Sequence, residues 1–383
     1  MKYNLTFIFL LILASAFGQA GNARSPFGGP RIVSPEVTDG KITFRLKAPN
    51  AKQVMVDLAG SPRQAMQKGD NGVWTLTTSA LEPDIYPYTF SVDSVTMPDP
   101  GNPMIKPIYK TSAGQSLVRV PGPSTLSWEI NDVPHGNISH HFYKSTIIGD
   151  DRDYYVYTPP GYDAKRKEPY PVLYLFHGVT DEASAWTAAG RANFILDNLI
   201  AEGKAEPMII VNTLGYGNPD NIMTGTAFGK FGDALLHEVI PQVEKEYHAS
   251  KSASKRAVAG LSMGGAESLM IGLNHPDVFN YVGAFSSAEV MYGAQMRPNN
   301  GTELQNAPVY QKVFPDLNSD INKSLKLLWI SCGTEDFLIN INREYKSWLT
   351  SKGVKYTAIE TPGAHTWMVW RRNLTAFAPL LFK

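Results

Sequence analysis

The sequence predicts two domains in tandem: an all-β sandwich, then a three-layer α/β domain built on a mostly parallel sheet. Three observations carry this. Between residues 34 and 120 apolar residues alternate over short segments broken by Pro, Gly and Asn. Beyond residue 137 near-continuous apolar runs alternate with helix-period segments, as a parallel sheet covered on both faces requires. Within that second half Gly260-Leu261-Ser262-Met263-Gly264 lies between an apolar run and a helical one. A turn that sharp between strand and helix needs glycine two places to either side of its serine.

The elements follow in order. Lys2, an apolar run over residues 5–17 and then Gly18, Gln19 and Ala20 open the 383-residue chain. This order of positive charge, apolar run and small residues predicts a secretory signal peptide over residues 1–20, and the run is short for a bilayer span. The expected mature protein is secreted or periplasmic, with no membrane attachment after cleavage. Residues 41–46 (KITFRL), 53–58 (QVMVDL), 73–77 (VWTLT) and 86–92 (YPYTFSV) read as half-buried strands. Gly69-Asp70-Asn71-Gly72 and Glu82-Pro83-Asp84 supply the turns. Close spacing with no helical stretch predicts an immunoglobulin-like β-sandwich over residues 25–121. That span holds no histidine, and its acids are not grouped with a nucleophile.

Residues 122–136 bear Pro, Gly and Ser and read as a linker, which leaves 137–383 for the α/β domain. Its predicted strands are 171–176, 207–211, 256–261, 281–285, 325–332 and 356–360. Its predicted helices are 191–203, 231–248, 266–274, 339–352 and 371–382. The stretch 286–324 is long, polar and rich in Asn and Pro, and reads as a lid or substrate-binding insertion.

Composition excludes several function classes. With 35 basic and 35 acidic side chains the net charge is zero, which argues against polyanion binding and gives no nucleic-acid partner. A single cysteine, Cys332, excludes an intramolecular disulfide and any Cys-based metal cage. At the end of a buried strand it reads as a packed thiol. No metal or organic cofactor is implied.

The chemistry belongs at the ends of the strands. Ser262 would project from its strained corner at the sheet edge, above the N-terminus of the next helix. A serine hydroxyl is inert near neutral pH without a positioned base. Of eight histidines, His365 follows the last strand and precedes the last helix, in a loop on that same edge. His237, His248 and His275 belong to helical stretches, and His140-His141 lack further metal ligands. The base needs an acid to hold its tautomer. Gly333-Thr334-Glu335-Asp336 follows strand 325–332; Asp336 is the first choice and Glu335 the reserve, since spacing cannot separate them. The chain order Ser262, Asp336, His365 is the order α/β-hydrolases use. Two backbone donors should face a developing oxyanion: the N–H of Met263, after the nucleophile, and that of Val179, in the loop His177-Gly178-Val179. His177 would orient that loop through hydrogen bonds.

Together, Tyr157-Thr158-Pro159-Pro160-Gly161-Tyr162, Leu175-Phe176-His177-Gly178, the serine motif through Gly265, Cys332-Gly333-Thr334-Glu335-Asp336-Phe337 and Gly363-Ala364-His365-Thr366-Trp367 resemble the esterase-D-like group. Within it the chain looks most like the family 1 carbohydrate esterases, the feruloyl and acetylxylan esterases. The similarity covers residues 137–383 and includes Gly190-Arg191-Ala192-Asn193 and the stretch from Asp197 to Gly203. The sandwich, through Phe44-Arg45-Leu46-Lys47-Ala48-Pro49 and Asp99-Pro100-Gly101-Asn102-Pro103, resembles the family 48 carbohydrate-binding modules. The resemblance implies Ser262, Asp336 and His365 as the triad, favouring Asp336 over Glu335, with Val179 and Met263 as the oxyanion hole. Ala364 stands where the family often has a second glycine, a small departure.

The implied activity is a serine carboxylic-ester hydrolase acting on feruloylated or acetylated xylan. Trp186 and Trp367 are candidates to stack on a phenolic or sugar ring, and equally to fill the core. Trp74, Tyr86 and Tyr88 stand in the same position for glycan binding by the sandwich. The alternatives are a siderophore-lactone esterase, whose anionic substrate favours a basic cleft, a mycolyl-type acyltransferase, and a non-catalytic glycan-binding protein.

Overall fold

The computed structural model describes residues 32–111, 114–218, 225–296 and 304–383, of which 225–227 by backbone alone. The expected signal peptide lies outside the described residues. In the strand Lys41–Lys47 the residues Ile42, Phe44 and Leu46 are buried while both terminal lysines are exposed, the period-2 pattern of a strand with one wet face. It joins Glu36–Thr38, Val73–Thr77 and Gln67–Lys68 in one sheet. The facing sheet runs Gln64–Ala65, Val54–Leu58, Asp84–Val92, Gly114–Val120, Ile105–Pro107, with Val95–Met97 paired to Asp84–Val92. The inner faces meet over Phe44, Val56, Phe90 and Val118. Trp74, Tyr86 and Tyr88 are buried in this core rather than displayed for a ligand. The Trp74 indole N–H donates to the Ala48 carbonyl at 2.9 Å, and the Tyr88 hydroxyl donates to Asp99 at 2.8 Å.

The strand Asp84–Val92 is buried over most of its length, on both faces. The second face is dry because the α/β half covers it: Ile85 and Leu117 join the core of that half. At this junction Asp84 and Arg371 are fully buried, with Arg371 Nε 3.0 Å and Nη2 2.5 Å from Asp84 Oδ1. Arg371 also donates to the carbonyls of Ala189 and Ile85, and Arg372 reaches Asp84 Oδ2 at 3.0 Å. Residues 122–136 carry no strand or helix, yet they pack: Trp128 is buried, and Asn198 Nδ2 donates to the carbonyls of Ser127 and Glu129.

The α/β half is one eight-stranded sheet. Its strands are β1 (Asn137–Lys144), β2 (Asp151–Thr158), β3 (Val172–Phe176), β4 (Ile209–Thr213), β5 (Arg256–Leu261), β6 (Tyr281–Phe285), β7 (Leu327–Gly333) and β8 (Thr357–Thr361). They lie in the order β1-β2-β4-β3-β5-β6-β7-β8, antiparallel at the first two pairings and parallel from β4 onward. The helices that frame the site are α1 (Ala192–Ala201), α2 (Gly225–Ala234), α3 (Met263–Asn274), α4 (Ile339–Ser351) and α5 (Trp367–Phe377). Alternate residues of β3 serve opposite layers. Tyr174 and Phe176 belong to the core layer that holds Leu269 of α3 and Tyr345 of α4, whereas Leu173 and Leu175 belong to the layer that holds Leu196 of α1 and Leu374 of α5. Central strands buried on both faces explain their uninterrupted apolar sequence.

Several boundaries differ from expectation. β1 carries no strand signal in the sequence because it is the sheet edge and six of its eight residues are exposed, which imposes no alternating apolar pattern. The expected helix 231–248 is instead α2, a π-helical turn Leu235–Val239 and a further helix Ile240–Glu246. α5 begins four residues earlier than the periodicity suggested, directly after the extended Thr366.

Candidate active site

β5 ends at Leu261 and α3 begins at Met263, so Ser262 alone makes the turn, at φ 52° and ψ −115°. A non-glycine residue at positive φ is strained and persists only where its surroundings hold it. Here the Ser262 N–H donates to the Phe285 carbonyl at 2.8 Å, while its own carbonyl accepts from Ala266 and Ala288. A methyl group on Gly260 would lie 2.4 Å from the Gly264 carbonyl oxygen, and one on Gly264 would lie 2.5 Å from that of His177. Both glycines are therefore fixed by how closely α3 sits on the ends of β3 and β5.

The loops after β7 and β8 bring the other two candidates to that corner. His365 Nε2 is 3.0 Å from Ser262 Oγ, and His365 Nδ1 is 2.8 Å from Asp336 Oδ2 and 3.0 Å from Oδ1. Asp336 is 2% exposed and accepts from the Leu338 N–H at 2.9 Å, so its carboxylate is held in place. Glu335 is exposed, and of the two acids it is Asp336 that meets His365. A carboxylate on Nδ1 makes that nitrogen the donor and leaves Nε2 free to accept the serine proton.

The two expected backbone donors belong to the segments that flank this corner. Met263 opens α3, so its N–H has no intrahelical carbonyl to bind. Gly178 and Val179, after the adjacent strand β3, line the cavity next to Ser262. His177 is buried, and desolvation lowers its pKa to about 4, so it is neutral. Its Nδ1–H donates to the Gly178 carbonyl at 2.8 Å and its Nε2 accepts the Gly215 N–H at 2.9 Å, which orients the loop.

The cavity in front of Ser262 holds about 450 Å³, and its apolar wall includes Val290, Met291, Phe337, Leu338, Trp367 and Trp370. Trp367 thus faces the site. Trp186 does not: it is fully buried, its Nε1–H donates to the Phe176 carbonyl at 2.8 Å, and its ring meets Trp367 edge-on at 5.2 Å. It supports the end of β3 ahead of the Gly178–Val179 loop and the wall behind Trp367, and so fills the core rather than stacking on a substrate. Of the 286–324 stretch, Ala288, Val290 and Met291 line the cavity, while Tyr310 and Phe314 pack into the core; residues 297–303 lie outside the described ones. Phe337 and Trp370 escaped the sequence reading. Phe337 adjoins Asp336 and its ring lies 4.7 Å from that of His365; Trp370 is one helical turn beyond Trp367. Adjacency and i+3 spacing were the available signals.

Behind the catalytic corner Glu289 is fully buried, held by the Ser287 hydroxyl at 2.7 Å. Desolvation raises its pKa to about 7, opposed by Ser287 and assisted by the nearby Asp336. A carboxyl whose folded pKa is raised favours folding below its unfolded pKa and loses that contribution as pH rises through the folded value. Glu289→Gln, uncharged at every pH, is therefore expected to match the wild type near pH 4 and to exceed it by about 3 kcal/mol above pH 7. Thermal melts across pH 4–8 measure the difference; a constant gap would show that Glu289 does not titrate in that window.

The Esterase family model matches residues 145–381. The chain belongs to that family. The endo-1,4-beta-xylanase/feruloyl esterase of Xylanibacter ruminicola is 31% identical to this esterase-family chain over 373 residues, 94% of the chain and 47% of the relative. The chain thus spans about half the length of that relative. A solved ferulic acid esterase is 25% identical, with a TM-score of 0.55 over 65% of this chain and 99% of that one. The enterochelin esterase of Shigella flexneri shares the fold across both domains, with a TM-score of 0.67 over 90% of this chain and 93% of that one at 18% identity.

Proposed function

We propose that this Esterase-family protein is a secreted serine carboxylic-ester hydrolase that removes feruloyl or related hydroxycinnamoyl groups from plant cell-wall xylan. The observation that carries the reading is the contact of His365 Nε2 with Ser262 Oγ at 3.0 Å, backed by buried Asp336 and opening on an aromatic-walled cavity. The name of the Xylanibacter ruminicola relative supports the feruloyl ester as substrate.

In this mechanism His365 takes the Ser262 proton as the hydroxyl attacks the ester carbonyl. The Met263 and Val179 N–H groups bind the developing oxyanion, each contributing about 3 kcal/mol. His365, now protonated and stabilised by Asp336, protonates the departing sugar hydroxyl. Water activated by the same histidine then attacks the acyl-enzyme and releases the acid. A flat phenolic acyl group matches a cavity of about 450 Å³ bounded by Phe337, Trp367 and Trp370, whereas acetate would leave most of it unfilled. A ferric catecholate fits less well, because the one Lys or Arg on the described wall, Lys106, is already paired with Asp181.

Kinetics on methyl ferulate beside acetylated xylan test the acyl group. Higher kcat/KM on methyl ferulate is expected; a preference for acetylated xylan would replace feruloyl by acetyl. Phe337→Ala sharpens the test, since Phe337 is 64% exposed and its loss carries little folding cost. It should raise KM for methyl ferulate about 10-fold, the worth of one aromatic contact of about 1.4 kcal/mol, and leave hydrolysis of a small acetyl ester unchanged.

A further inference from the structure

The sandwich contributes to the wall of the cavity. Lys106, from the strand Ile105–Pro107, reaches across and pairs with Asp181, three residues beyond Gly178 in the oxyanion loop. Both side chains are almost completely buried and both line the cavity. The same segment grips the loop again, for the Tyr109 N–H donates to the Thr180 carbonyl at 2.9 Å. Thr180 sits at φ 71°, a conformation that needs outside support. The Tyr109 ring stacks on Tyr216 at 4.2 Å, and the Tyr216 hydroxyl donates to the Asp181 carbonyl at 2.9 Å. The loop that presents Val179 is thus held from one side by His177 of its own domain and from the other by the sandwich.

Resting on the hydrolase reading above, we infer that Lys106 is a positioning residue for ester hydrolysis: through Asp181 the sandwich domain fixes the loop that aims the Val179 N–H at the oxyanion. Two physical effects combine. The ion pair sets the loop backbone, on which donor geometry depends within a few tenths of an ångström. It also compensates the Asp181 carboxylate, which would otherwise stand as a lone buried negative charge beside a centre where negative charge develops. Both act on the transition state more than on bound substrate, so the effect falls on kcat.

The test uses the full chain with methyl ferulate as substrate and ferulate as binding probe. Lys106→Met keeps the length and apolar stem of the side chain. It is expected to lower kcat about 30-fold, to leave KM and the ferulate Kd within about 3-fold, and to slow labelling by a serine-directed phosphonate in proportion to kcat. Adding Asp181→Asn removes the uncompensated charge and should recover about 5-fold in kcat over the single variant. If Lys106→Met does not fold, the double variant carries the test: kcat about 6-fold below wild type with unchanged ferulate affinity supports the role, and wild-type kcat overturns it. A folded Lys106→Met with wild-type kcat overturns it too. So does weakened ferulate binding at unchanged kcat, which would make Lys106 a substrate-binding group. A wild-type chain inert toward every ester would sink the hydrolase reading as well, whereas an active wild type with an unaffected variant sinks the positioning role alone.

Discussion

Ser262→Ala is expected to lower kcat/KM on methyl ferulate by about 10⁵- to 10⁶-fold while the protein melts as the wild type does. Without the hydroxyl no acyl-enzyme forms, and only the oxyanion donors and substrate positioning remain. The fold should survive, because what holds the turn is backbone: the Ser262 N–H on the Phe285 carbonyl, and the Ser262 carbonyl accepting from Ala266 and Ala288. Alanine at φ 52° carries the same backbone strain as serine. Initial rates and a thermal melt of the same sample measure both parts. Residual turnover within a hundredfold of wild type would remove Ser262 from the mechanism.

Asp336→Asn is expected to cost about 10⁴ in kcat, the penalty of the wrong histidine tautomer. The carboxylate lies 2.8 Å from His365 Nδ1 and is fixed by the Leu338 N–H on its Oδ1. With that N–H keeping the amide oxygen in its place, the amide NH₂ faces His365 and donates to Nδ1. The ring proton then moves to Nε2, which can no longer accept from the Ser262 hydroxyl 3.0 Å away. The isosteric change leaves packing unaltered, so the loss should appear in kcat with KM nearly constant. Glu335→Gln is the control, since Glu335 is exposed and should stay within about 2-fold of wild type. A loss below tenfold for Asp336→Asn would show that another group orients the imidazole.

Much of the candidate site was legible because its chemistry demands particular residue types at particular places. The glycines at 260 and 264 announce a turn too tight for a side chain at either place, and the structure gives the reason: a methyl group on Gly260 would lie 2.4 Å from the Gly264 carbonyl oxygen. His365 was separable from seven other histidines by its place after the last strand. The central strands were legible because burial on both faces leaves them continuously apolar. The edge strand β1 was not, because one ladder partner and a mostly exposed surface impose no pattern on NISHHFYK. The aromatics were ambiguous by nature: Trp186 and Trp367 meet edge-on, one wholly in the core and the other at the cavity wall. Nothing in their local sequence encodes which side faces a ligand.

By itself, then, the chain's pattern of periods, turns and reactive side chains determined two successive domains, a strained serine corner and the histidine and acid carried to the same sheet edge. Local sterics and strand burial act over a few residues, so their demands are written locally. Only the tertiary structure set Asp336 against His365, moved Trp186 and Trp74 inside, and joined the domains through Asp84 and Arg371. It alone placed Lys106 of the sandwich against Asp181 of the loop after β3, 75 residues away along the chain. Such pairings depend on how two surfaces dock, and docking is a property of distant residues together that no single stretch of sequence contains.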